Sequence, residues 1–210
     1  MLEVGAGTGR DGLRMQKLGA DVSLLDYSDE SLTLIRMLTK ADGVRLVMGD
    51  GRICPFRDGT FDVVFHQGLL EHFRSPYILL QENLRILRRG GLLIVDVPQT
   101  FHVYTIIKHV LISLGLWFGG WERQFTFVSL SRLLRQLGLQ PVAAYGDWSR
   151  PGIWYKMLRQ ILTKFRIKLP MYPQYLGSLT KSFYRLQHRL RRKRLFLFTV
   201  LSVGVVARKV

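Results

Sequence analysis

Three glycines follow a short apolar run at the start of the chain, in Leu2-Glu3-Val4-Gly5-Ala6-Gly7-Thr8-Gly9-Arg10. A strand that turns through closely spaced glycines into a helix lets backbone N–H groups approach a ligand with no Cβ in the way. The spacing is G-x-G-x-G, whereas dinucleotide binders carry G-x-G-x-x-G with a pyrophosphate over the helix N-terminus. Glu3 precedes the first glycine by two residues. A carboxylate there repels a pyrophosphate and suits a ligand with an ammonium or sulfonium charge, which favours S-adenosylmethionine over NAD. An ion pair with a basic side chain is the competing role for Glu3.

These residues need elements to hold them. The first 100 residues alternate β-type and helical patterns, with strands expected over 1–4, 20–26, 44–48, 61–65 and 92–97. Helices are expected over about 8–18, from Ser28 to 39, and from Ser75-Pro76 to 88, where Gly90-Gly91 ends the last. Ser28 is a suitable N-cap, and Asp29 and Glu30 complement the dipole of the helix that follows. Strands separated by helices of this length imply right-handed crossovers and a parallel sheet. The fold class is therefore α/β with a Rossmann-like core. Thr126 caps a helix to 136, with Gly138 as its stop. A sixth strand covers 139–145, and the apolar run 195–207 reads as a strand returning at the sheet edge.

Two segments interrupt this alternation. Residues 98–125 are rich in aromatics and glycine (Phe101, Tyr104, Trp117, Phe118, Gly119, Gly120, Trp121) and follow the carboxyl end of the fifth strand. Ligands of doubly wound sheets sit at that edge, so the segment is expected to form a substrate cap. A helical hairpin buried for packing alone is the alternative. Residues 147–194 form a basic amphipathic insertion. Trp154, Met157, Leu158, Ile161, Leu162 and Phe165 recur at helical spacing, and Leu179, Phe183, Leu186 and Leu190 do so again among Lys181, Arg185, Arg189 and the run 191–194. Such helices lie in the headgroup region of anionic membranes or pack on the protein's own core.

Charge divides the chain sharply. The net charge is +16, yet residues 1–150 carry 17 Lys and Arg against all 15 Asp and Glu, whereas residues 151–210 carry 14 basic residues and no acid. A cationic section on a near-neutral body points to an anionic partner: membrane lipid, nucleic acid or glycan. The 210 residues and 48% apolar content suit one α/β domain and exclude disorder, collagen and a disulfide scaffold. Cys54 is the single cysteine, and no secretory leader opens the chain, so a reducing, cytoplasmic location is expected. No apolar run reaches the length of a spanning helix.

Taken in order, the motifs resemble those of class I S-adenosylmethionine-dependent methyltransferases of the type 11 kind. Residues 2–9 resemble the family's glycine motif, 61–67 and 87–94 its fourth and fifth strand motifs, and 49–51 its adenine clamp. The resemblance implies a doubly wound, mostly parallel sheet with helices on both faces and an antiparallel last strand. It assigns cofactor contacts to Glu3, Gly5, Ala6, Gly7, Gly9, Asp26, Tyr27, Asp50, Gly51, His66 and Gln67. Asp26, 17 residues after Gly9, falls where the family's acid holds both ribose hydroxyls, a bidentate task that suits a carboxylate. Tyr27 then lies against the adenine and Asp50 accepts from its exocyclic amine. Helix capping by Asp26 and turn formation by Asp50 are the competing roles.

Methyl transfer is an in-line displacement at an activated carbon, so positioning in a dry site is the main task. A base is needed only for an acceptor proton of high pKa, and His66, His72, His102 and Tyr104 are the candidates. Gly68-Leu-Leu-Glu71-His72 is similar to the E-x-x-E-H metal stretch of ubiquinone-pathway and small-RNA methyltransferases, but Gly68 replaces the first acid, and no metal is expected. Members of the family carry several tens of residues before the first strand, so the resemblance implies either a truncated chain or an open cofactor site. The acceptor expected is a small molecule, lipid or glycan met in the cytoplasm or at the inner face of the membrane. An RNA methyltransferase and a non-catalytic S-adenosylmethionine-binding protein are the alternatives, and NAD-dependent oxidoreduction is disfavoured.

Overall fold

Short runs rich in Val, Leu and Phe build the strands, and the periodic segments between them build the helices. The computed structural model describes residues 1–39, 43–115, 121–148, 152, 155, 158–159, 162–163, 166–170 and 177–210. In chain order these give β1 (Leu2–Val4), α1 (Arg10–Lys17), β2 (Val22–Asp26), α2 (Asp29–Thr39), β3 (Val44–Met48), β4 (Phe61–Gln67) and α3 (Pro76–Ile86). There follow β5 (Leu87–Pro98), α4 (Val103–Ser113), α5 (Phe127–Gln136), β6 (Leu139–Asp147), α6 (Gly177–Leu190) and β7 (Ser202–Lys209), with short 3-10 turns at Leu70–His72 and Arg194–Phe198.

The seven strands form one sheet in the order β3-β2-β1-β4-β5-β7-β6. Every pairing is parallel except those of β7, which runs antiparallel to β5 and β6. This is the Rossmann-like arrangement the sequence implies. The order reverses between β1 and β4, so their carboxyl ends flank the crevice where ligands bind in such sheets. Alternation along β2 places Val22 and Leu24 in one buried cluster with Leu32 and Ile35 of α2, and Leu25 in a second, larger cluster. Both faces of the sheet are thus covered, as a period of two requires.

Local signals account for several helix ends. The Ser31 N–H donates to Ser28 Oγ at 3.2 Å. Thr126 and Ser129 form a reciprocal capping box at the start of α5. Two expectations are corrected. β5 begins at Leu87, and Gly90-Gly91 lies inside it instead of ending a helix: the register steps from Phe61↔Leu87 to Val63↔Leu92, and Gly90 (φ 75°) makes the bulge that only a glycine takes easily. In the run 195–207 only the second part is strand. Leu197 and Val200 are buried ahead of β7, and Leu201 N–H donates to the Asp147 carbonyl at 2.8 Å, closing a turn where a strand was expected.

Trp154, Met157, Ile161 and Phe165 of the basic insertion lie outside the described residues, as do Trp117, Phe118, Gly119 and Gly120 and the side chains of Leu179, Lys181 and Phe183. Leu158 and Leu162 are helical, as their spacing predicts. Among the described residues no helix is long and apolar enough to cross a membrane.

Candidate active site

The loop between β1 and α1 holds Gly5, Gly7 and Gly9 at φ 68°, 54° and 66°, the left-handed region that favours glycine. A Cβ on Gly7 would meet open space, whereas on Gly5 it would meet Leu69 Cδ1 at 2.9 Å. Gly5 and Ala6 N–H groups donate to the Leu25 carbonyl at 2.8 and 3.1 Å, tying the loop to β2. Asp26 ends β2 with its carboxylate in that loop: Oδ2 accepts from Gly7 N–H at 2.7 Å and Oδ1 from Ser28 N–H at 2.8 Å. Each oxygen keeps a lone pair for a further donor.

Beyond β3 the chain turns through Gly49, Asp50 and Gly51. Asp50 accepts from Arg52 N–H at 2.8 Å and pairs with its guanidinium, which holds the carboxyl below its ordinary range. Asp50 therefore does form a turn, and it lines the cleft as well. A Cβ on Gly51 would lie 2.7 Å from Val4 Cγ1, so only glycine brings this loop so close to β1. Glu82 and Arg85 of α3 pin the same loop: Cys54 N–H donates to Glu82 Oε1 at 2.6 Å and Arg85 reaches the Cys54 and Phe56 carbonyls. The Cys54 thiol is buried beside the Gly51 carbonyl, and desolvation pushes its pKa up to about 12.

These pieces enclose a cleft of about 310 Å³ lined by Gly5, Asp26, Tyr27, Asp50 and Gly51, together with Val4, Leu25, Gly49, Arg52, Leu69 and Phe73. Tyr27 is 80% exposed and stands at its mouth. Arg52, Leu69 and Phe73 carry no local motif. Only the fold shows that Leu69, after β4, packs on Gly5 and that Phe73 lines the same cleft.

Glu3, His66 and Gln67 are not among the residues that line this cleft. Glu3 is buried and turned towards α1, where Oε2 accepts from Gly12 N–H at 2.8 Å; burial pushes its pKa up to about 7. It anchors α1 and is not among the residues that line the cleft. His66 is 1% exposed with both ring nitrogens unpartnered, and burial drives its pKa down to about 4, so the ring is neutral near pH 7. Gln67, at the exposed end of β4, accepts from the Arg10 guanidinium at 3.4 Å, beside the start of α1. His102 is the N-cap of α4, its Nδ1 accepting from Tyr104 N–H at 3.2 Å. His72 is exposed on the turn after β4, and Tyr104 is half-buried near Glu122. The same turn carries a carboxyl that no sequence pattern marks as a base: Glu71 is buried, its Oε2 has no hydrogen bond, and desolvation raises its pKa to about 7.

Comparison with known proteins falls on the same residues. The methyltransferase domain family matches residues 2–95, from β1 to within β5 and so across the whole cleft. Over those residues the chain is similar to class I methyltransferases. The family is S-adenosylmethionine-dependent, and the residues at the cleft suit that cofactor. Ubiquinone biosynthesis O-methyltransferase of Roseobacter denitrificans is 28% identical over 162 residues, 73% of this chain and 65% of the relative. The 2-methyl-6-phytyl-1,4-hydroquinone methyltransferase 1 of Oryza sativa subsp. japonica, a chloroplastic protein, is 33% identical over 105 residues, 48% of this chain and 32% of the relative. The chain thus spans less than two thirds of either. Geranyl diphosphate C-methyltransferase from Streptomyces coelicolor, solved with Mg2+, geranyl diphosphate and S-adenosyl-L-homocysteine, shares the fold at a TM-score of 0.63, with 14% identity over 100% of this chain and 70% of that one.

Proposed function

We propose that this methyltransferase holds S-adenosylmethionine in the cleft between β1, β2 and the loop after β3, and moves its methyl group to a small amphipathic or lipid-like acceptor. The observation that carries the cofactor reading is Asp26, whose carboxylate is fixed by two backbone N–H groups with lone pairs left for two ribose hydroxyls. Gly7 leaves room beside it, Tyr27 provides a flat surface for the adenine, and Asp50 takes the exocyclic amine. Glu3 positions α1. The cofactor, once bound, supplies a methyl carbon made electrophilic by its sulfonium.

For the rest, the chain must place the nucleophile in line and keep water out. Residues 98–125 cover the acceptor side in this reading. There a buried ion pair between Lys108 and Glu122 fixes α4 to the strand-like segment before α5. Where the acceptor proton has a high pKa, His72, Tyr104 and Glu71 are the candidates to receive it, while His102 Nδ1 is engaged as a cap and His66 is buried. Ubiquinone, phytyl-hydroquinone and geranyl diphosphate in the relatives' and neighbour's names support an acceptor with an apolar chain. The acid-free stretch 151–210 supports work at an anionic surface, which we assign to the inner face of the membrane.

Titration calorimetry tests the cofactor. S-adenosylhomocysteine is expected to bind and NAD to be silent, and Asp26→Ala to weaken binding by roughly 1.5–3 kcal/mol. Binding of NAD, or none of S-adenosylhomocysteine, overturns the reading. Mass spectrometry of lipid extracts incubated with labelled cofactor tests turnover; unlabelled extracts would leave a binding protein.

A further inference from the structure

α4 is inverted in polarity. Its buried residues are Thr105 and Lys108, whereas Val103, Ile106, Ile107, Val110 and the following Leu114 are between 40% and 63% exposed. Those five recur at i, i+3, i+4, i+7 and i+11, so they make one continuous apolar stripe. In a water-facing helix the stripe points to the core and lysine to solvent. Here the lysine lies inside, paired with Glu122, and aliphatic side chains face outward.

The stripe continues off the helix and meets charge. Phe101, just before α4, lies with its ring 6.2 Å from that of Phe198, and both are exposed, as is Leu195 on the same 3-10 turn. Gln99 ties the two segments, donating from Nε2 to the Leu197 carbonyl at 3.2 Å. That turn begins where the run Arg191-Arg192-Lys193-Arg194 ends, and Arg192, Lys193 and Arg194 are exposed. A ridge of large aliphatics bordered by cations, in a section of the chain without a carboxylate, is complementary to one kind of surface: apolar below and anionic at the rim.

We propose that α4 is a bilayer-inserting element, its stripe sunk among acyl chains and the run 191–194 resting on anionic headgroups. Because α4 follows the carboxyl end of β5, this orientation turns the acceptor side of the cleft towards the lipid, so an apolar acceptor passes from the membrane without crossing water. That last consequence rests on the methyl-transfer reading above; the insertion itself does not.

The test is flotation of the full chain with phosphatidylcholine vesicles, with and without phosphatidylglycerol. Wild type is expected to float only with the anionic lipid. Ile106→Glu/Val110→Glu is expected to lose roughly tenfold or more in partitioning, and Arg192→Glu/Lys193→Glu a comparable factor that added salt abolishes in wild type too. Both positions of the first pair are exposed, and a Gln/Gln version gives a milder change at the same sites should glutamate perturb the fold. Circular dichroism and S-adenosylhomocysteine calorimetry run on every variant separate failure of this proposal from failure of the cofactor reading. Flotation of the Ile106/Val110 variant equal to wild type overturns the proposal. So does equal flotation on neutral vesicles, or light scattering in which the variant turns a wild-type dimer into a monomer, which would make the stripe a contact between copies.

Discussion

Asp26 serves two partners at once, and its substitution acts on both. Asparagine there puts an NH2 against either the Gly7 or the Ser28 N–H, donor against donor, so Asp26→Asn is expected to cost about 1–3 kcal/mol of stability even without ligand, read as a lower denaturant midpoint. Glu3 gives a pH signature. Its folded pKa is about 7 against an ordinary 4.5, chiefly from burial, with the Gly12 N–H opposing. Between those values the folded state holds a proton that the unfolded state has released, so stability falls as pH rises through that window and levels off above it. Glu71, at about 7, and Asp96, at about 6, push the same way. Glu3→Gln keeps an oxygen for Gly12 and is expected to flatten the slope by roughly 1–3 kcal/mol across the window; equal slopes in urea titrations of both proteins would contradict the assignment. At this scale the sequence showed which residues have suitable chemistry, and the fold decided which face the cleft. His66 and Gln67 are neighbours on β4, so the pleat sends them to opposite sides, and which side is covered is decided by tertiary packing that no local pattern displays.

Elements were more legible than residues, because glycine, proline and capping signals act locally while packing does not. The ends of α2 and α5 follow from Ser28 and Thr126, and β3 coincides with its apolar run. Thr126→Ala is expected to cost about 1 kcal/mol, seen as a lower melting temperature. Gly90-Gly91 misled because two glycines mark a helix stop and a strand bulge equally well. Gly204 of β7 shows what tertiary contact adds. The Tyr145 ring lies across it, so that a Cβ there would sit 2.1 Å from Tyr145 Cζ. The bare backbone lets the phenol of β6 cross β7 and hydrogen-bond Asp96 of β5. Gly204→Ala is expected to destabilise by about 1–3 kcal/mol, more than Tyr145→Phe, in paired chemical-denaturation curves; the reverse ranking would mean the hydrogen bond matters more than the space.

For the whole molecule, the cationic section is part of the core as well as a surface. β7 comes from it yet lies between β5 and β6, with Val203, Val205 and Ala207 fully buried. Cutting the chain after residue 150 therefore removes an internal strand, and the fragment is expected to lack a cooperative melt by circular dichroism. The pinned loop over Cys54 has a use of its own. A thiol 5% exposed, with little thiolate at neutral pH, reacts with a maleimide only when the rim of the cleft lifts. The alkylation rate of this one sulfur is thus a clock for the breathing of the pocket mouth, and a ligand that clamps the rim will slow it.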